Sequence, residues 1–320
     1  MPVRIKEWGL ARMASLRCLL VFCAVAGCVP HVRNTIAFDS NRDGNADIYL
    51  MDADGSHQRR LSHTSGDHRH SWLPAWSPDR MSVSFSSNRD DDADQIYVIG
   101  VDGSNVHQLT HTPGKYNWNS DWSPDGKTIA FDSDRYGMSE IYLMNPDGSD
   151  VRQLTHASTD GWQSSNPDWS PDGKQIVFAL GRPPDWSENE IFVMDASGSA
   201  RRQLTRTPGK GNWTPRWSPD GRRIVFSSNR NSTFALPTDA GTDIYVMNAD
   251  GSDVRRVMAN AARPHSSPDG KRIVFMSPRD CRAATGKECQ FQEELYVMDT
   301  DGSNVKRLTR NERHDGHPAW

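Results

Sequence analysis

Four of the eleven histidines are spaced so that they could bind a metal ion. His68 and His70 share one polar segment, and His314 and His317 share another close to the C-terminus. Imidazole nitrogens are suitable ligands for transition metals such as Zn²⁺. The alternative is that all four are solvated loop residues, and on that interpretation we predict no bound cofactor.

A second set of polar residues resembles the start of a calcium-binding loop. Side chains with oxygen atoms alternate along it, at Asp39, Asn41, Asp43 and Asp47. Gly44 occupies the sixth position, where such loops turn sharply, but Leu50 stands where the loop needs a bidentate Glu. The default interpretation is therefore a turn held by its own side-chain hydrogen bonds, with Ca²⁺ binding as the alternative.

Tryptophans offer a third kind of site, for ligand binding rather than catalysis. Trp72, Trp118 and Trp213 each stand four residues before the Trp of a repeated phrase, and Trp162 lies near the equivalent place in another repeat. Aromatic rings that share a concavity bind sugars or peptides. Together with His70 and His317, these residues form the predicted ligand- or partner-binding set. The alternative is that each Trp packs between neighbouring structural units.

Motifs for nucleophilic or metal-hydrolase chemistry are missing from the sequence. It contains no G-x-S-x-G, no H-E-x-x-H and no phosphate-cradling glycine loop. The net charge is −4, and no basic stripe indicates nucleic acid as a partner. We therefore predict a non-enzymatic binding protein that is a monomer and does not bind nucleic acid.

The chain is organised around a repeated phrase, Trp-Ser-Pro-Asp-Gly, with an apolar run after it. One copy of the phrase and its apolar run occupies residues 169–178, and the other copies follow the same order. From Trp76 onwards, the Trp position recurs after 46, 47, 48, 49 and 54 residues, with Ser266 in place of one Trp. A repeat of this period indicates an array of similar units rather than one folded core.

Each repeat reads as four short strands joined by tight Asp-Gly turns, which is typical of a β-propeller blade. The first repeat lacks its opening strand, and the segment 316–320 is an opening strand without the other three. Pairing the two leaves no exposed edge. The sequence therefore predicts an all-β, six-bladed propeller over residues 35–320, closed by the C-terminal strand joining the three N-terminal strands.

An arginine follows the second strand of every repeat, and an acid precedes the third strand in five of them. The arginines are Arg42, Arg89, Arg135, Arg182, Arg230 and Arg279, and the acids are Asp47, Glu140, Glu190, Asp243 and Glu294. Because the two positions lie on the two arms of one hairpin, we predict that Arg and acid pair within each blade. The alternative is a ring of arginines that binds an anion.

The N-terminal segment indicates export. Residues 1–27 place Arg12 and Arg17 before an apolar run that is too short to span a bilayer, as in a secretory signal peptide, with Met1 or Met13 as its start. Residues 25–28, Val-Ala-Gly-Cys, resemble a bacterial lipobox. That resemblance implies cleavage before Cys28 and lipid attachment to it, which leaves residues 28–34 as a short tether to the membrane. The alternatives are a plain cleaved signal peptide, or a buried strand with an incidental Cys.

Two further cysteines, Cys281 and Cys289, bracket an insertion in the last repeat. Exported proteins occupy oxidising compartments, where disulfides form and persist. We therefore predict a disulfide between them, with a reduced pair as the alternative.

The repeats resemble the WD40-like PD40 repeats of the TolB propeller family over residues 35–320. Five Ser-Pro-Asp copies, six Arg loops and six Gly-Ser turns carry the resemblance. It implies a periplasmic protein of the cell envelope whose propeller binds a protein or peptide partner at the channel mouth.

The repeats are also similar to those of some oligogalacturonate lyases. That resemblance implies, as an alternative, a glycan-active enzyme with a metal at the channel, for which His70, His265 and His317 are the candidate ligands. A glycan-binding module without catalysis is a third possibility.

Overall fold

A computed structural model describes residues 34–182, 188–231, 241–280, 293–311 and 313–320. The predicted signal peptide, Cys28, nearly all of the tether and the Cys281–Cys289 pair lie outside these residues. The described residues form 24 strands in six antiparallel sheets of four strands each. The six-bladed propeller predicted from the sequence is confirmed.

Five blades use four consecutive strands, and blade 1 combines the first three strands with the last. Blade 1 contains β1 (Thr35–Ser40), β2 (Asp47–Asp52) and β3 (Arg59–Arg60), with β24 (Asp315–Ala319) on its inner edge. Blade 2 contains β4 (Ser71–Trp76), β5 (Ser82–Ser87), β6 (Gln95–Gly100) and β7 (His107–Gln108), and blade 3 contains β8 (Asn117–Trp122), β9 (Ile129–Ser133), β10 (Glu140–Met144) and β11 (Arg152–Gln153).

The other three blades follow the same order from the inner to the outer strand. Blade 4 contains β12 (Gln163–Trp169), β13 (Gln175–Gly181), β14 (Glu190–Asp195) and β15 (Arg202–Gln203), and blade 5 contains β16 (Asn212–Trp217), β17 (Arg223–Ser228), β18 (Asp243–Asn248) and β19 (Arg255–Met258). Blade 6 contains β20 (Ala262–Ser266), β21 (Arg272–Ser277), β22 (Glu294–Asp299) and β23 (Lys306–Arg307). A short 3-10 helix at Ala157–Asp160 precedes β12. Within the described ranges, no helix has the length and apolar character to cross a membrane.

The ring closes inside blade 1. Strand β24 pairs antiparallel with β1, so that Ala319 lies opposite Ala37 and Gly316 lies opposite Asp39. Trp320, just beyond β24, is buried in the apolar cluster that contains Phe38 of β1. The closure covers the edge of β1 that would otherwise be free to pair with another chain.

All six inner strands bend at the same position. The register of their pairing with the second strand shifts there, as in a β-bulge. The residue at the bend has a positive φ in every blade: Leu73, Asn119, Asn166, Thr214, Arg263 and His317. Non-glycine residues seldom adopt this conformation. Five of the six bend residues line the cavity in the central channel.

Adjacent blades pack against each other through apolar clusters and tight turns. Phe178 of blade 4, for example, packs in one cluster with Leu143 and Leu154 of blade 3. Gly148, in an Asp-Gly-Ser turn, has a φ of +83° and lies against blade 2, where an added Cβ would be 2.5 Å from the carbonyl oxygen of Leu109. The turn therefore needs glycine both for its backbone conformation and for the close approach.

The recurring arginines stack on aromatic rings, so the predicted Arg–acid pairing is wrong. The guanidinium of Arg135 lies 5.2 Å from the ring centre of Phe131 and 4.5 Å from that of Tyr142. Arg42, Arg89, Arg230 and Arg279 lie on the equivalent Phe–Tyr pairs of blades 1, 2, 5 and 6. A guanidinium cation is attracted electrostatically to the face of an aromatic ring. This contact takes the place of the expected ion pair.

The recurring acids instead bind groups on or beyond the fourth strand. Glu294 forms an ion pair with Arg307 at 2.9 Å, and Asp243 forms one with Arg256 at 3.1 Å. In blade 3, Glu140 accepts a hydrogen bond from the backbone N–H of Ser158 at 2.6 Å. Both members of each predicted pair therefore hold the blade together, through different partners.

Candidate functional site

The mouth of the channel is the opening at which the inner strands begin. In blade 3, Asn117 at the start of β8 lies opposite Ser133 at the end of β9. The loops before each inner strand and the loops between second and third strands therefore surround this opening. Bend residues such as Leu73, Asn119 and His317 line the channel next to it.

Trp72 lies at the mouth between two histidines. It is half-buried and precedes the lining residue Leu73 in β4. Its ring is centred 4.4 Å from that of His70 and 6.2 Å from that of His317. The structure thus brings together three members of the predicted binding set, across blades 1 and 2.

Trp118 occupies the equivalent position in β8. Its ring stacks on Tyr116 with the centres 4.8 Å apart, and Tyr116 is 38% exposed. The indole Nε1 of Trp118 donates a hydrogen bond to Asp94 Oδ2 at 2.7 Å, while Asp94 Oδ1 lies 2.8 Å from His70 Nε2. Asp94 therefore holds a tryptophan and a histidine on one side of the mouth, a role that no sequence pattern indicated.

Trp213 and Trp162 differ in their placement. Trp213 stands in β16 at the position of Trp72 and Trp118, and it is half-buried like them. Trp162 packs against an apolar cluster and lies under the guanidinium of Arg182, 4.8 Å from its ring centre. Trp162 therefore has packing contacts in blade 4, and its part in ligand binding stays a prediction.

A polar level that the sequence patterns did not predict lies further along the channel. Arg216 of β16 forms an ion pair with Asp168 of β12 at 3.1 Å. Asp121 of β8 accepts a hydrogen bond from the backbone N–H of Trp169 at 2.7 Å, which ties blade 3 to blade 4. Burial, together with the nearby charge of Asp168, raises the pKa of Asp121 to about 8. An acid directly before the phrase Trp was the signal that could have found this level.

His265 belongs to the same level rather than to a metal site with His70 and His317. Burial, followed by the charge of Arg216, lowers the pKa of His265 to about 3. Its neutral Nδ1 accepts a hydrogen bond from the backbone N–H of Trp320 at 3.3 Å. His70, by contrast, binds Asp94, and His317 binds Asp39. The three histidines suggested by the lyase resemblance therefore form hydrogen bonds with three different partners.

Asp39, His314 and His317 form a compact cluster beside Trp72. The Nδ1 of His317 lies 2.7 Å from Asp39 Oδ1, and the Nε2 of His314 lies 3.6 Å from Asp39 Oδ2. On its other side, the Nδ1 of His314 lies 2.9 Å from Glu293 Oε2. The potential ligand atoms of the three residues all lie within 4.8 Å of one another.

The electrostatics of this cluster favour an ionised carboxylate. Burial acts to raise the pKa of Asp39, but His317 and His314 outweigh it and hold the pKa below its usual range. Burial likewise acts to lower the pKa of His314, but Asp39 and Glu293 outweigh it and raise that pKa to about 10. The charges in this part of the mouth therefore stabilise one another.

The other side chains of the predicted calcium loop form hydrogen bonds with separate groups. Asn41 Oδ1 accepts the backbone N–H of His314 at 3.0 Å, Asp43 Oδ2 accepts the hydroxyl of Tyr49 at 2.5 Å, and Asp47 Oδ1 accepts the backbone N–H of Thr64 at 2.9 Å. Each oxygen group thus has its own partner, as in a turn held by side-chain hydrogen bonds.

The fold and the site define a six-bladed propeller with a polar channel and an aromatic mouth. The family model described as the PD40, TolB beta propeller domain matches residues 63–182 and 157–277. The chain belongs to this family.

Solved structures with the same fold include two described as TolB. TolB from Acinetobacter baumannii superposes with a TM-score of 0.71 at 20% identity, covering 94% of this chain and 69% of that one. A putative TolB from Agrobacterium tumefaciens gives a TM-score of 0.63 at 26% identity, covering 87% and 88%. An oligogalacturonate lyase in complex with manganese gives 0.52 at 16% identity, covering 86% and 72%, and at that identity it shows the fold alone.

Sequence relatives match over shorter stretches. An uncharacterized peptidase of Bacillus subtilis is 40% identical over 67 residues, which are 21% of this chain and 10% of that protein. An uncharacterized protein of Agrobacterium fabrum is 34% identical over 97 residues, which are 30% of this chain and 31% of that protein. The match therefore spans about a third of these relatives' length or less.

Proposed function

We propose that this protein is a non-enzymatic binding propeller of the bacterial cell envelope, which recognises a protein or peptide partner at the mouth. The observation that carries the proposal is the placement of Trp72, Trp118 and Trp213 at one position of three inner strands. All three residues are half-buried, so part of each stays accessible to solvent. Tryptophan and tyrosine are enriched among the residues that dominate binding energy at protein interfaces.

Preorganisation of these rings supports the same function. The hydrogen bond to Asp94 and the stacking on Tyr116 hold Trp118 in one orientation. A side chain that is already ordered loses less conformational entropy when a partner binds, which favours affinity. The mouth is therefore suited to binding a partner without rearrangement.

Photo-crosslinking in intact cells tests this function. A photoreactive amino acid at Tyr116, before β8, is compared with one at Lys127, in the turn after β8 at the other end of the strand. We expect a discrete adduct with an envelope protein from position 116 that Trp72→Ala weakens. Adducts of equal yield from both positions, or none from position 116, would contradict the proposal.

We also propose that the protein is exported and tethered through Cys28, which the lipobox-like residues 25–28 support. Cells are grown with an alkyne analogue of palmitate, and the labelled protein is detected by a fluorescent azide. We expect label on the unaltered protein and none on Cys28→Ser, which should move to the soluble periplasmic fraction. An unlabelled parent protein would contradict the anchor.

A second candidate is a glycan-binding or glycan-active protein, which the His–Asp cluster beside Trp72 favours. Oligogalacturonate is the probe, because the lyase resemblance names that substrate. Binding that survives chelation supports a binding module, whereas a metal-dependent unsaturated product supports a lyase. If the protein neither binds nor cleaves oligogalacturonate but does crosslink at position 116, the result supports recognition of a protein or peptide partner.

A further inference from the structure

Three potential metal ligands meet where the ring closes. Asp39 comes from β1, His317 from β24 and His314 from the segment just before β24, and their ligand atoms lie within 4.8 Å of one another. Zn²⁺ binds nitrogen and oxygen ligands at about 2.0–2.2 Å, so ligand atoms around one ion lie no more than about 4.4 Å apart. The 4.8 Å limit exceeds this separation by only about 0.4 Å, so the ligand atoms would have to move slightly closer together around an ion.

The orientation of His314 is the one that a metal ligand has. Its Nδ1 lies 2.9 Å from Glu293 Oε2, which leaves Nε2 pointing towards Asp39 at 3.6 Å. Metal-binding histidines almost always donate their other ring N–H to a carboxylate, a backbone carbonyl or water. Glu293 therefore positions the imidazole without itself being a ligand. A bound cation would replace the proton through which Nε2 pairs with Asp39 in the metal-free cluster.

Gly316 makes room for this arrangement. It stands at the position of β24 that holds tryptophan in β4, β8 and β16. A Cβ at this position would lie 2.3 Å from His314 Nε2 and 3.4 Å from Asp39 Oδ2. Any larger residue would displace His314, so the space in which the ligand atoms meet depends on glycine in this one blade.

An ion at this cluster would remain accessible from the channel. The side chains of His314 and His317 are 24% and 13% exposed, whereas Asp39 is 2% exposed. His317 also lines the channel cavity. Three protein ligands leave at least one position for water or for a carboxylate of a bound molecule, as in catalytic rather than structural zinc sites.

We propose that Asp39, His314 and His317 bind a divalent transition-metal ion of the Zn²⁺ type at the mouth, with Glu293 as a positioning residue. Two imidazoles and one carboxylate suit Zn²⁺ and the neighbouring first-row ions better than Ca²⁺ or Mg²⁺, which prefer oxygen ligands. The site goes beyond partner recognition by the tryptophans, because it uses none of them as ligands.

Isothermal titration of the chelator-treated protein with Zn²⁺ alone is the first test. We expect one equivalent to bind saturably, and His314→Gln and His317→Gln each to lower the affinity by at least about tenfold. Glu293→Gln should lower it by about 10–100-fold, as expected when a residue that orients a ligand is removed. His111→Gln, at an exposed histidine after β7, is the matched control and should bind as the parent does.

Co²⁺ provides a second readout that does not depend on affinity. Nitrogen and oxygen ligation in an open site should give a visible absorption band in the parent protein and in His111→Gln, but not in His317→Gln. Gly316→Ala keeps every ligand and displaces His314, so it tests the site even if a histidine variant fails to fold. Circular dichroism of each metal-free variant establishes that it is folded.

Two results would overturn the proposal. One is the absence of saturable Zn²⁺ binding to the folded parent protein. The other is unchanged Zn²⁺ affinity in folded His314→Gln and His317→Gln. That result would mean that surface histidines bind the ion and that the cluster serves only as a set of ion pairs at the ring closure. Crosslinking from position 116 can succeed or fail independently of either result, so the two proposals are tested separately.

Discussion

The backbone N–H of Trp320 donates a hydrogen bond to Nδ1 of His265 at 3.3 Å. His265 lies in blade 6, so the strand that closes blade 1 is also bound to the neighbouring blade. The guanidinium of Arg272, likewise in blade 6, lies 4.6 Å from the ring centre of Trp320. Closure therefore depends on contacts of this one residue with blade 6 as well as with Phe38 of blade 1.

Replacing Trp320 by Ala should destabilise the whole ring. The ring of Trp320 is buried among apolar residues of blades 1 and 6, and loss of a buried Trp typically costs about 3–5 kcal/mol. Urea unfolding of the variant measures the change in the free energy of unfolding. Trp320→Phe keeps most of the apolar contact and should lose clearly less. A loss below about 1 kcal/mol for the Ala variant would contradict this account of closure.

The neutral state of His265 predicts acid sensitivity. Its folded-state pKa of about 3 lies below the ordinary value of about 6.5. As the pH falls below about 6.5, the unfolded chain takes up this proton before the folded one does, so the folded state loses stability down to about pH 3. We expect the melting temperature to fall between about pH 6.5 and about pH 5, and to fall less in His265→Gln. Equal slopes in the two proteins would argue against the contribution of His265.

Asp121 predicts the opposite trend at higher pH. Its folded-state pKa is raised to about 8, so the folded protein holds this proton more tightly than the unfolded chain, and stability decreases as the pH rises from about 4 to about 8. Asp121→Asn keeps an acceptor for the N–H of Trp169 and removes the buried charge. Thermal melts should show the variant more stable than the parent above about pH 8, with the difference shrinking towards about pH 5. Asp160→Asn, at an exposed residue, should show no such trend.

Two glycines separate backbone strain from steric clash. Gly114 and Gly148 both have positive φ, +67° and +83°, but an added Cβ at Gly114 has nothing within 4 Å. Gly114→Ala should therefore lose about 1–2 kcal/mol from conformation alone. Gly148→Ala should lose more, because its Cβ would meet Leu109 at 2.5 Å. Urea unfolding of both variants gives the comparison, and equal losses would show that the turn can move away from blade 2.

Trp118 and Trp122 provide a matched test of the mouth. Both are half-buried in β8, but Trp122 packs against an apolar cluster and donates a hydrogen bond to Ser84 Oγ at 3.0 Å. Trp118→Ala should lower the crosslinking yield at position 116 with a small change in melting temperature. Trp122→Ala should lower stability by about 3 kcal/mol. If Trp118→Ala instead unfolds the protein and Trp122→Ala does not, Trp118 is a packing residue.

Ring closure could be predicted because two incomplete repeats each carry what the other lacks. Spacing also placed the inner-strand tryptophans correctly, since equivalent positions of a repeat occupy equivalent places in a propeller. The partner of Arg135 could not be found in this way. Proximity along the hairpin suggested Glu140, whereas the extended side chain reaches the faces of Phe131 and Tyr142. Those two rings were present in the sequence and were the signal that was overlooked.

The cluster around Asp39 shows a different limit. By spacing alone, His314 groups with His317, and Asp39 falls in the segment that resembles a calcium loop. Their meeting depends on Gly316 lying opposite Asp39 in the β24–β1 register and on the strand bend at His317, where φ is +45°. A contact between residues more than 270 positions apart has no counterpart in local spacing.

In blades 3, 4 and 6, a side chain of the inner strand accepts a backbone hydrogen bond from the next blade. Asp121 binds the N–H of Trp169, Asp168 binds that of Trp217, and His265 binds that of Trp320. A duplicate of blade 3, 4 or 6 would therefore carry with it the side chain that binds the blade after it. Duplication of such a blade adds a unit without requiring a new type of contact between blades. The last of these acceptors, His265, binds the C-terminal residue and so adds to the closure made by the β24–β1 pairing.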